Sequence, residues 1–398
     1  MGRWSSKQGH VVAASYLAWT LDAYDFFLLV FVFRDISTQF RTSITSVAIA
    51  VTLTLAFRPL GAFILGRLAD RFGRRPILMV NIALYSLLNF AIAFTPNLHI
   101  FWLVCACFGV AMGGVWGIGA SLAMETIKPK ARGFVSGLLQ SGYPTGYLLA
   151  SLIYGLLYPE IGWRGMFMVG IVPAVLLILY IYKKVPESPT WTQKKTQRPT
   201  AFSVIRSHWK LALYAVALMT AYNFLSHGTQ DLYPTFLERQ RGLGHTTVSA
   251  IAVFYNVGAI LGGVIFGSIS QHFGRRRTIM VATTLCLPVI GLWSYAPSLA
   301  LLAIGAFLMQ FFVQAAWGVI PAHLNELAPA GTRGTFPGTV YQLGNFIASI
   351  NAVMQATIAE RTHGNYSLAL ASVAAAAAIA ITILIKFGPE AHNIDLRH

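Results

Sequence analysis

The sequence has few charged residues: Asp, Glu, Lys and Arg make up 11% of its 398 residues, against roughly 25% in soluble domains. So low a content excludes a water-facing surface over most of the chain and leaves no room for a large soluble domain. Cysteines number only three, and Cys105, Cys107 and Cys286 all lie inside apolar runs. This placement excludes a disulfide framework and a cysteine metal site, so we expect three small buried residues.

Long apolar runs make up most of the chain. Twelve of them, separated by short charged or turn-rich breaks, fall at 11–33, 44–68, 76–95, 99–124, 133–157, 164–184, 210–237, 246–270, 277–295, 298–324, 335–358 and 366–387. Each is about as long as the roughly 20 residues that a helix needs to cross a bilayer. Prolines inside the runs, such as Pro59, Pro144, Pro234 and Pro337, are tolerated where neighbouring helices satisfy the backbone. The sequence therefore predicts an all-α membrane protein with twelve transmembrane helices.

The basic residues predict the orientation of these helices. The net charge of +16 does not indicate a nucleic-acid partner, because the charges lie in short connections and not on one polar face. With the N-terminus in the cytoplasm, 22 of the 29 Lys and Arg residues lie in or beside cytoplasmic segments, six lie outside and Arg58 lies within a span. The positive-inside rule then places both termini in the cytoplasm, and we expect a plasma-membrane location.

The chain repeats itself at an offset of 201 residues. GRLADRFGRR from Gly66 aligns with GSISQHFGRR from Gly267, Trp116-Gly117 aligns with Trp317-Gly318, and Glu125 with Arg132-Gly133 aligns with Glu326 with Arg333-Gly334. We predict a six-helix bundle at 1–184, a cytoplasmic linker at 185–208 and a second six-helix bundle at 209–398. Two parallel bundles with a site between them near the membrane midplane are typical of secondary transporters.

The loop after the second run resembles that of the major facilitator superfamily, G-x-L-x-D-R-x-G-R-R/K. The PESP segment at 186–189 is also similar to that family, and the resemblance extends over essentially the whole chain. The resemblance implies that the loop forms gating contacts, which break in the transport cycle. The alternative interpretation is a positive-inside turn without a gating role. The residues expected to form these contacts are Asp70, Arg71, Arg74, Arg75, Glu125, Arg132, Glu326 and Arg333.

A narrower resemblance lies in the seventh run. NFLSHGTQDLYPT, from Asn223 to Thr235, resembles N-x-x-[ST]-H-x-[ST]-Q-D-x-x-x-T of the fungal lactate/pyruvate proton symporters, in the sialate:proton symporter family. LDAYDFFLLVF from Leu21 is also similar to that family. The 185–208 loop is too short for the two extra helices that sialate members carry. The resemblance therefore implies proton-coupled symport of a small monocarboxylate, with another organic acid such as a sialate as the alternative.

Arg58 is the main candidate for binding the substrate. It lies eight residues before Gly66, or roughly 12 Å into the membrane at 1.5 Å per residue. A cation at that depth must find an anion, and the planar guanidinium fork suits a carboxylate. The alternative is a permanent structural pair with Asp22 or Asp25, and the two readings agree if substrate and aspartate compete for Arg58.

Two further groups of polar residues share helix faces. Asn223, His227 and Asp231 are spaced four residues apart, and His227 beside Asp231 is the leading candidate for a proton relay. One of Asp22 and Asp25 is expected either to carry the proton or to balance Arg58. The further residues expected to bind substrate are Asn223, Gln342, Asn345, Tyr143 and Gln140.

The sequence lacks the motifs that are typical of several other classes of protein. No HExxH, GxSxG or Walker pattern occurs, which disfavours a metalloprotease, a serine hydrolase or an ATP-driven pump. A transporter-like sensor would need a signalling domain, and every loop is short. We therefore expect no catalytic residue, metal or cofactor, and as partners a small carboxylate, a proton and the lipid bilayer around a monomer.

Overall fold

The computed structural model describes residues 4–193, 206–390 and 394, which form α-helices and one 3-10 turn without a strand. In the first half the helices are α1 (Ser6–Phe31), α2 (Phe33–Gln39), α3 (Ile44–Phe72), α4 (Arg74–Ile92), α5 (Leu98–Gly113), α6 (Val115–Thr126), α7 (Arg132–Gln140), α8 (Gly142–Val169), α9 (Ile171–Lys184) and α10 (Pro189–Gln193). In the second half they are α11 (Trp209–Gln230), α12 (Tyr233–Arg239), α13 (His245–Phe273), α14 (Arg275–Ser294), α15 (Leu299–Trp317), α16 (Ile320–Leu327), α17 (Phe336–Ala348), α18 (Asn351–Arg361) and α19 (Tyr366–Phe387).

These helices form twelve membrane crossings. The crossings are fewer than the helices because several of them consist of two consecutive helices in line. Eight helical stretches of the described chain are long and apolar enough to span a bilayer, and one of them, Pro129–Lys184, is 56 residues long. Gly162, with φ 62° and ψ −178°, breaks that stretch into two crossings. The first, seventh and eleventh crossings complete the twelve.

An even number of crossings brings the beginning of α1 and the end of α19 to one side of the membrane. We call this side the terminal face; it also carries the connections after α3 and α13. The predicted linker at 185–208 falls partly outside the described residues, since 194–205 are not among them. Its described part includes α10, which packs against α6 through a hydrogen bond from Ser188 Oγ to Glu125 Oε2.

The prolines lie where helices tolerate them. Pro144, Pro234 and Pro337 stand in the first turns of α8, α12 and α17, where a backbone N–H has no acceptor within the helix. Pro59 lies well inside α3, and two further prolines lie inside α8 and α14. The apolar runs of the seventh and eleventh crossings are therefore divided into shorter helices that begin at or near a proline or a bend.

The bundle exposes large apolar side chains around its outer surface, including Phe94, Leu103, Leu152, Leu156 and Leu176, each more than half exposed. In water such a surface would be unstable, whereas acyl chains cover it in a membrane. The prediction that all three cysteines are buried is wrong for Cys107, which is exposed, whereas Cys105 and Cys286 are buried. An apolar run identifies a span but does not tell which face of its helix meets lipid.

Candidate functional site

A cavity of about 430 Å³ lies between the two halves and extends toward the face opposite the terminal face. Seven of the ten residues predicted to bind substrate or proton line it: Arg58, Gln140, Tyr143, Asn223, His227, Asp231 and Asn345. The other three, Asp22, Asp25 and Gln342, do not line it and lie buried behind the wall. Aromatic side chains of both halves, among them Phe27, Tyr147 and Tyr255, form much of the remaining surface.

Arg58 projects from α3 at the wall of this cavity and is 3% exposed. One guanidinium nitrogen lies 3.6 Å from Asp22 Oδ2, and its carbon lies 5.2 Å from the centre of the Phe26 ring. Neither oxygen of Asp22, nor Nε of Arg58, makes a hydrogen bond to a described residue. A buried ion pair is stabilising only with good geometry and further hydrogen bonds. The Arg58–Asp22 pair is therefore one that a better ligand for the arginine displaces readily.

Asp25 has different surroundings, although it lies one turn after Asp22 on α1. Its Oδ1 accepts a hydrogen bond of 2.9 Å from Asn89 Nδ2 on α4, and no described Lys, Arg or His forms an ion pair with it. Gly170 closes over this contact, since a Cβ there would lie 3.1 Å from Asp25 Oδ1. Asp22 thus faces a cation and Asp25 faces a neutral amide, a distinction that their sequence spacing did not provide.

His227 lies across the cavity on α11, between two acceptors. Its Nδ1 is 3.2 Å from Asp231 Oδ1 and its Nε2 is 2.9 Å from Asn345 Oδ1. Asn345 in turn directs its amide nitrogen to Gln342 Oε1 at 3.4 Å. An imidazole whose two nitrogens both face acceptors satisfies them by carrying two protons. This geometry fits an imidazolium paired with the Asp231 carboxylate.

Three glutamines that hold this part of α11 were missing from the sequence prediction. Gln355 Nε2 donates to the carbonyl of Gly228 at 2.8 Å, and Gln310 Nε2 donates to Thr229 Oγ1 at 3.0 Å. Gln230 Nε2 donates to Gln310 Oε1 at 2.8 Å. The signal available in the sequence was the occurrence of amide side chains inside apolar runs, where each needs a partner.

An aromatic floor closes the cavity toward the terminal face. The Tyr341 ring lies 4.8 Å from the ring of Trp116, 5.6 Å from that of Trp317 and 6.4 Å from that of Trp19. Trp116 and Trp317 are equivalent positions of the 201-residue repeat. The repeat therefore supplies one tryptophan from each half to the floor, and Tyr341 fills the space between them.

Below this floor, the predicted gating residues connect the two halves. Asp70, at the end of α3, accepts hydrogen bonds from Gly334 N at 2.8 Å, Thr335 N at 2.9 Å and Thr335 Oγ1 at 2.6 Å, just before α17. Arg74 lies 2.9 Å from Asp70 and 3.0 Å from Glu125. The carboxylate thus caps the start of a helix that belongs to the other half.

The second half repeats this arrangement with an amide in place of the carboxylate. Gln271 Oε1 accepts from Gly133 N at 3.1 Å and from Arg275 at 3.1 Å, and Arg275 pairs with Glu326 at 2.9 Å. Arg132 lies 3.8 Å from Glu326, across the boundary between the halves. These contacts join the two halves at the terminal face, on the side away from which the cavity extends.

The remaining gating candidates lie at the edge of this network. The carbonyl of Arg333 accepts from Ser121 Oγ at 2.7 Å, and Arg75 donates to the carbonyl of Tyr182 at 2.5 Å. Arg71 is exposed, and its guanidinium carbon lies 5.2 Å from the ring centre of its neighbour Phe72.

Two glutamates that the sequence analysis did not select as site residues brace the same loops. Glu187 accepts from the backbone N–H of Arg74 at 3.0 Å, and Glu390 accepts from that of Arg276 at 3.1 Å. Each carboxylate lies at a helix start, where backbone N–H groups lack partners and negative charge is favourable. The signal in the sequence is a Pro-Glu pair after the last span of each half.

Glycines allow the halves to meet at the terminal face. A Cβ on Gly66 would lie 2.5 Å from the carbonyl oxygen of Gly334, and one on Gly267 would lie 2.7 Å from that of Gly133. These two contacts are equivalent under the 201-residue repeat. Backbones approach so closely only where no side chain intervenes.

Replacing Gly66 or Gly267 by alanine is therefore expected to keep the terminal face from closing. The added methyl group overpacks the seam, at a cost of about 1–3 kcal/mol, whereas alanine favours the helices themselves. We expect uptake to fall about tenfold or more, and a cysteine introduced at Ser136 to react faster with a membrane-impermeant maleimide added at the terminal face. Gly155→Ala is the control, because nothing lies within 4 Å of its Cβ position; equal labelling in all three variants would contradict the prediction.

Comparisons with known proteins agree with this architecture. The model of the Major Facilitator Superfamily matches residues 15–230, and that of the family Sugar (and other) transporter matches residues 209–393. Among solved structures, the proton:xylose symporter XylE bound to 6-bromo-6-deoxy-D-glucose superposes with a TM-score of 0.77 at 18% identity, over 98% of each chain. The human organic anion transporter MFSD10 superposes with a TM-score of 0.77 at 14% identity, over 95% of this chain and 99% of that one.

Proteins of similar sequence are transporters. A carboxylic acid transporter protein homolog of Saccharomyces cerevisiae is 29% identical over 87% of this chain, which spans 60% of the yeast protein. The cis,cis-muconate transport protein of Acinetobacter baylyi is 28% identical over 84% of both chains. The sialic acid transporter NanX of Escherichia coli is 24% identical over 85% of this chain and 84% of its own length.

Twelve crossings in two parallel bundles around a central cavity define a multi-pass membrane transporter. The chain belongs to the major facilitator superfamily, and the predicted fold class is confirmed.

Proposed function

We propose that this chain is a secondary active transporter that carries a small monocarboxylate of the lactate and pyruvate type together with a proton. The observation that carries the proposal is the Arg58 guanidinium at the cavity wall, which lies 3.6 Å from Asp22 while neither Asp22 oxygen accepts a hydrogen bond from a described residue. The similarity to a yeast carboxylic acid transporter protein homolog supports the same class of substrate.

The carboxylate of the substrate takes the place of Asp22 at Arg58. A guanidinium binds a free carboxylate through two parallel hydrogen bonds, which are stronger than a single contact at 3.6 Å. Aromatic side chains line much of the cavity, and the lower dielectric beside such apolar walls strengthens this interaction. Substrate binding therefore exchanges one anion for another at the same cation.

This exchange couples the substrate to a proton. Asp22 is fully buried, and a buried carboxylate that has lost its cation costs several kcal/mol. Taking up a proton removes that cost, so each bound carboxylate brings one proton with it. Return of Arg58 to Asp22 releases the proton when the substrate leaves.

The pair of His227 and Asp231 is the proposed relay for this proton. Both side chains line the cavity and lie 3.2 Å apart, and a histidine exchanges protons near physiological pH. They occupy the wall opposite Arg58, so a proton that enters with the substrate from the open face meets them in the same cavity.

Alternating access involves the two equivalent sets of contacts between the halves at the terminal face. Opening the terminal face requires the bonds of Asp70 with Thr335 and of Gln271 with Gly133 to break, after which the halves rock about the site. We propose that the terminal face is cytoplasmic, as the Lys and Arg distribution predicts, and that the protein works as a monomer in the plasma membrane. The state with an open cavity and a closed terminal face then receives substrate from outside.

The second candidate is transport of another organic acid, such as a sialate. The similarity to the sialic acid transporter NanX favours it, because Arg58 serves any carboxylate. Competition separates the candidates: excess unlabelled sialate inhibits uptake of labelled lactate only if it enters the same site.

The test is uptake of labelled L-lactate into proteoliposomes that contain the purified protein. With the outside at pH 5.5 and the inside at pH 7.5, we expect accumulation that a protonophore abolishes. Protein-free liposomes with the same pH gradient are the control for passive entry of neutral lactic acid, and liposomes with equal pH on both sides show the uptake without a gradient. Uptake that ignores the proton gradient would end the symport proposal, and absence of uptake with every short monocarboxylate would end the substrate assignment.

A further inference from the structure

Two asparagines in the cavity wall of the second half share one orientation. Asn223 Nδ2 donates to the carbonyl of Met219 at 2.8 Å, and Asn256 Nδ2 donates to the carbonyl of Ala252 at 2.8 Å. Rotating either amide would bring two oxygens together, so these bonds set the orientation. Neither side-chain oxygen accepts a hydrogen bond from a described residue, and both side chains line the cavity. Each asparagine therefore offers an acceptor to a molecule in the cavity.

The wall of the first half has the opposite character. The Arg58 guanidinium is a donor only, and Gln140 uses its oxygen to accept from Trp116 Nε1 at 3.1 Å, which leaves its N–H groups for the cavity. On the second half, the Asp231 carboxylate adds to the acceptors of the two asparagines. Among these five residues, donors thus lie on the wall of the first half and acceptors on the wall of the second half.

We propose that the cavity selects hydroxy acids over keto acids and unsubstituted acids of the same chain length. The inference rests on the proposed function and narrows its substrate class. With the carboxylate at Arg58, a hydroxyl group donates to an asparagine oxygen on the opposite wall. A keto acid places its own acceptor oxygen against the asparagine oxygen, so no hydrogen bond forms. An unsubstituted acid leaves the asparagine oxygen without a partner. An unpaired buried polar group is costly, which is why hydrogen-bonding sites discriminate strongly.

The first experiment compares matched acids for binding to the purified wild-type protein, by calorimetric titration or ligand-induced thermal shift. The acids are L-lactate, pyruvate and propionate, followed by 2-hydroxybutyrate, 2-oxobutyrate and butyrate. Within each set we expect the hydroxy acid to bind about tenfold or more tightly, the effect of one hydrogen bond of about 1.4 kcal/mol. Equal affinities within both sets would overturn the proposal.

The second experiment repeats these titrations with Asn223→Leu and Asn256→Leu. Each variant is expected to lose affinity for hydroxy acids and keep its affinity for keto acids, so that their ratio moves toward one. Asn325→Leu is the matched control: Asn325 makes the same bond, to the carbonyl of Pro321 at 2.8 Å, but does not line the cavity. A parallel loss for both acids, with an unchanged ratio, would indicate a structural role and overturn the assignment.

Binding is measured at one fixed pH without a membrane potential or a proton gradient, so proton uptake affects every acid alike and the ratio of affinities does not depend on proton coupling. Preference for hydroxy acids together with uptake that ignores the gradient would end the symport proposal and leave this inference standing. Proton-driven uptake together with equal affinities for lactate and pyruvate would overturn this inference and leave the symport proposal standing.

Discussion

Replacing Arg58 by lysine is expected to lower carboxylate uptake at least about tenfold, because a hydrogen bond to a charged group contributes about 1.5–3 kcal/mol. Lysine keeps the positive charge but presents a compact ammonium in place of a planar fork. It therefore loses the two parallel hydrogen bonds to a carboxylate. Arg58→Ala is expected to be worse, because it also leaves Asp22 buried without its cation. The measurement is the initial rate of proton-driven lactate uptake as a function of lactate concentration.

The control for this prediction is Arg67→Lys. Arg67 lies on the same helix, near its terminal-face end, and is exposed, so the same chemical change there is expected to leave uptake unaltered. Comparable amounts of folded protein in the membrane are verified by size-exclusion chromatography of the solubilised variants. A fully active Arg58→Lys protein with an unchanged KM would mean that the substrate carboxylate binds elsewhere.

Asp22→Asn is expected to separate substrate movement from proton movement. Asparagine is nearly the same size but cannot take up a proton, so displacement from Arg58 no longer draws one in. We expect exchange of labelled for unlabelled lactate across the membrane to continue, and accumulation driven by the proton gradient to be lost. Both are measured in the same proteoliposomes, loaded with lactate for exchange and empty for accumulation.

Asp25→Asn is the matched comparison, on the same helix and one turn away. Asp25 contacts the neutral Asn89 amide at 2.9 Å and not Arg58, so we expect this variant to keep accumulation. Loss of accumulation in Asp25→Asn with retention in Asp22→Asn would place the coupling proton on Asp25 instead. Loss of exchange in Asp22→Asn would show that Asp22 also contributes to substrate binding.

The sequence predicted the fold and most of the cavity wall because both depend on patterns among residues that are close together in the chain. Apolar runs of membrane length identify spans without knowledge of their neighbours. Asn223, His227 and Asp231 were grouped correctly because residues four apart share a helix face, and all three line the cavity. Arg58 was found because a cation in the middle of an apolar run must have a partner.

Other features depend on contacts between distant segments. Asp22 and Asp25 looked equivalent in sequence, and only the packing of α3 and α4 against α1 gives one an arginine and the other an asparagine. Gln342 was predicted to meet substrate, but it lies behind Asn345, outside the cavity wall. Cys107 was predicted to be buried, but it faces outward, because composition does not define the lipid-facing side of a helix.

The low charge content thus determined by itself that this chain lies in a membrane, the apolar runs determined that it crosses twelve times, and the 201-residue repeat determined where its two halves correspond. Tertiary structure alone decided that the repeated loops lock the halves together, through bonds such as that of Asp70 to Thr335. It also decided which polar atoms face the cavity. The physical reason is that a span depends on the hydrophobicity of its own residues, whereas a site depends on the direction in which each side chain finds a partner.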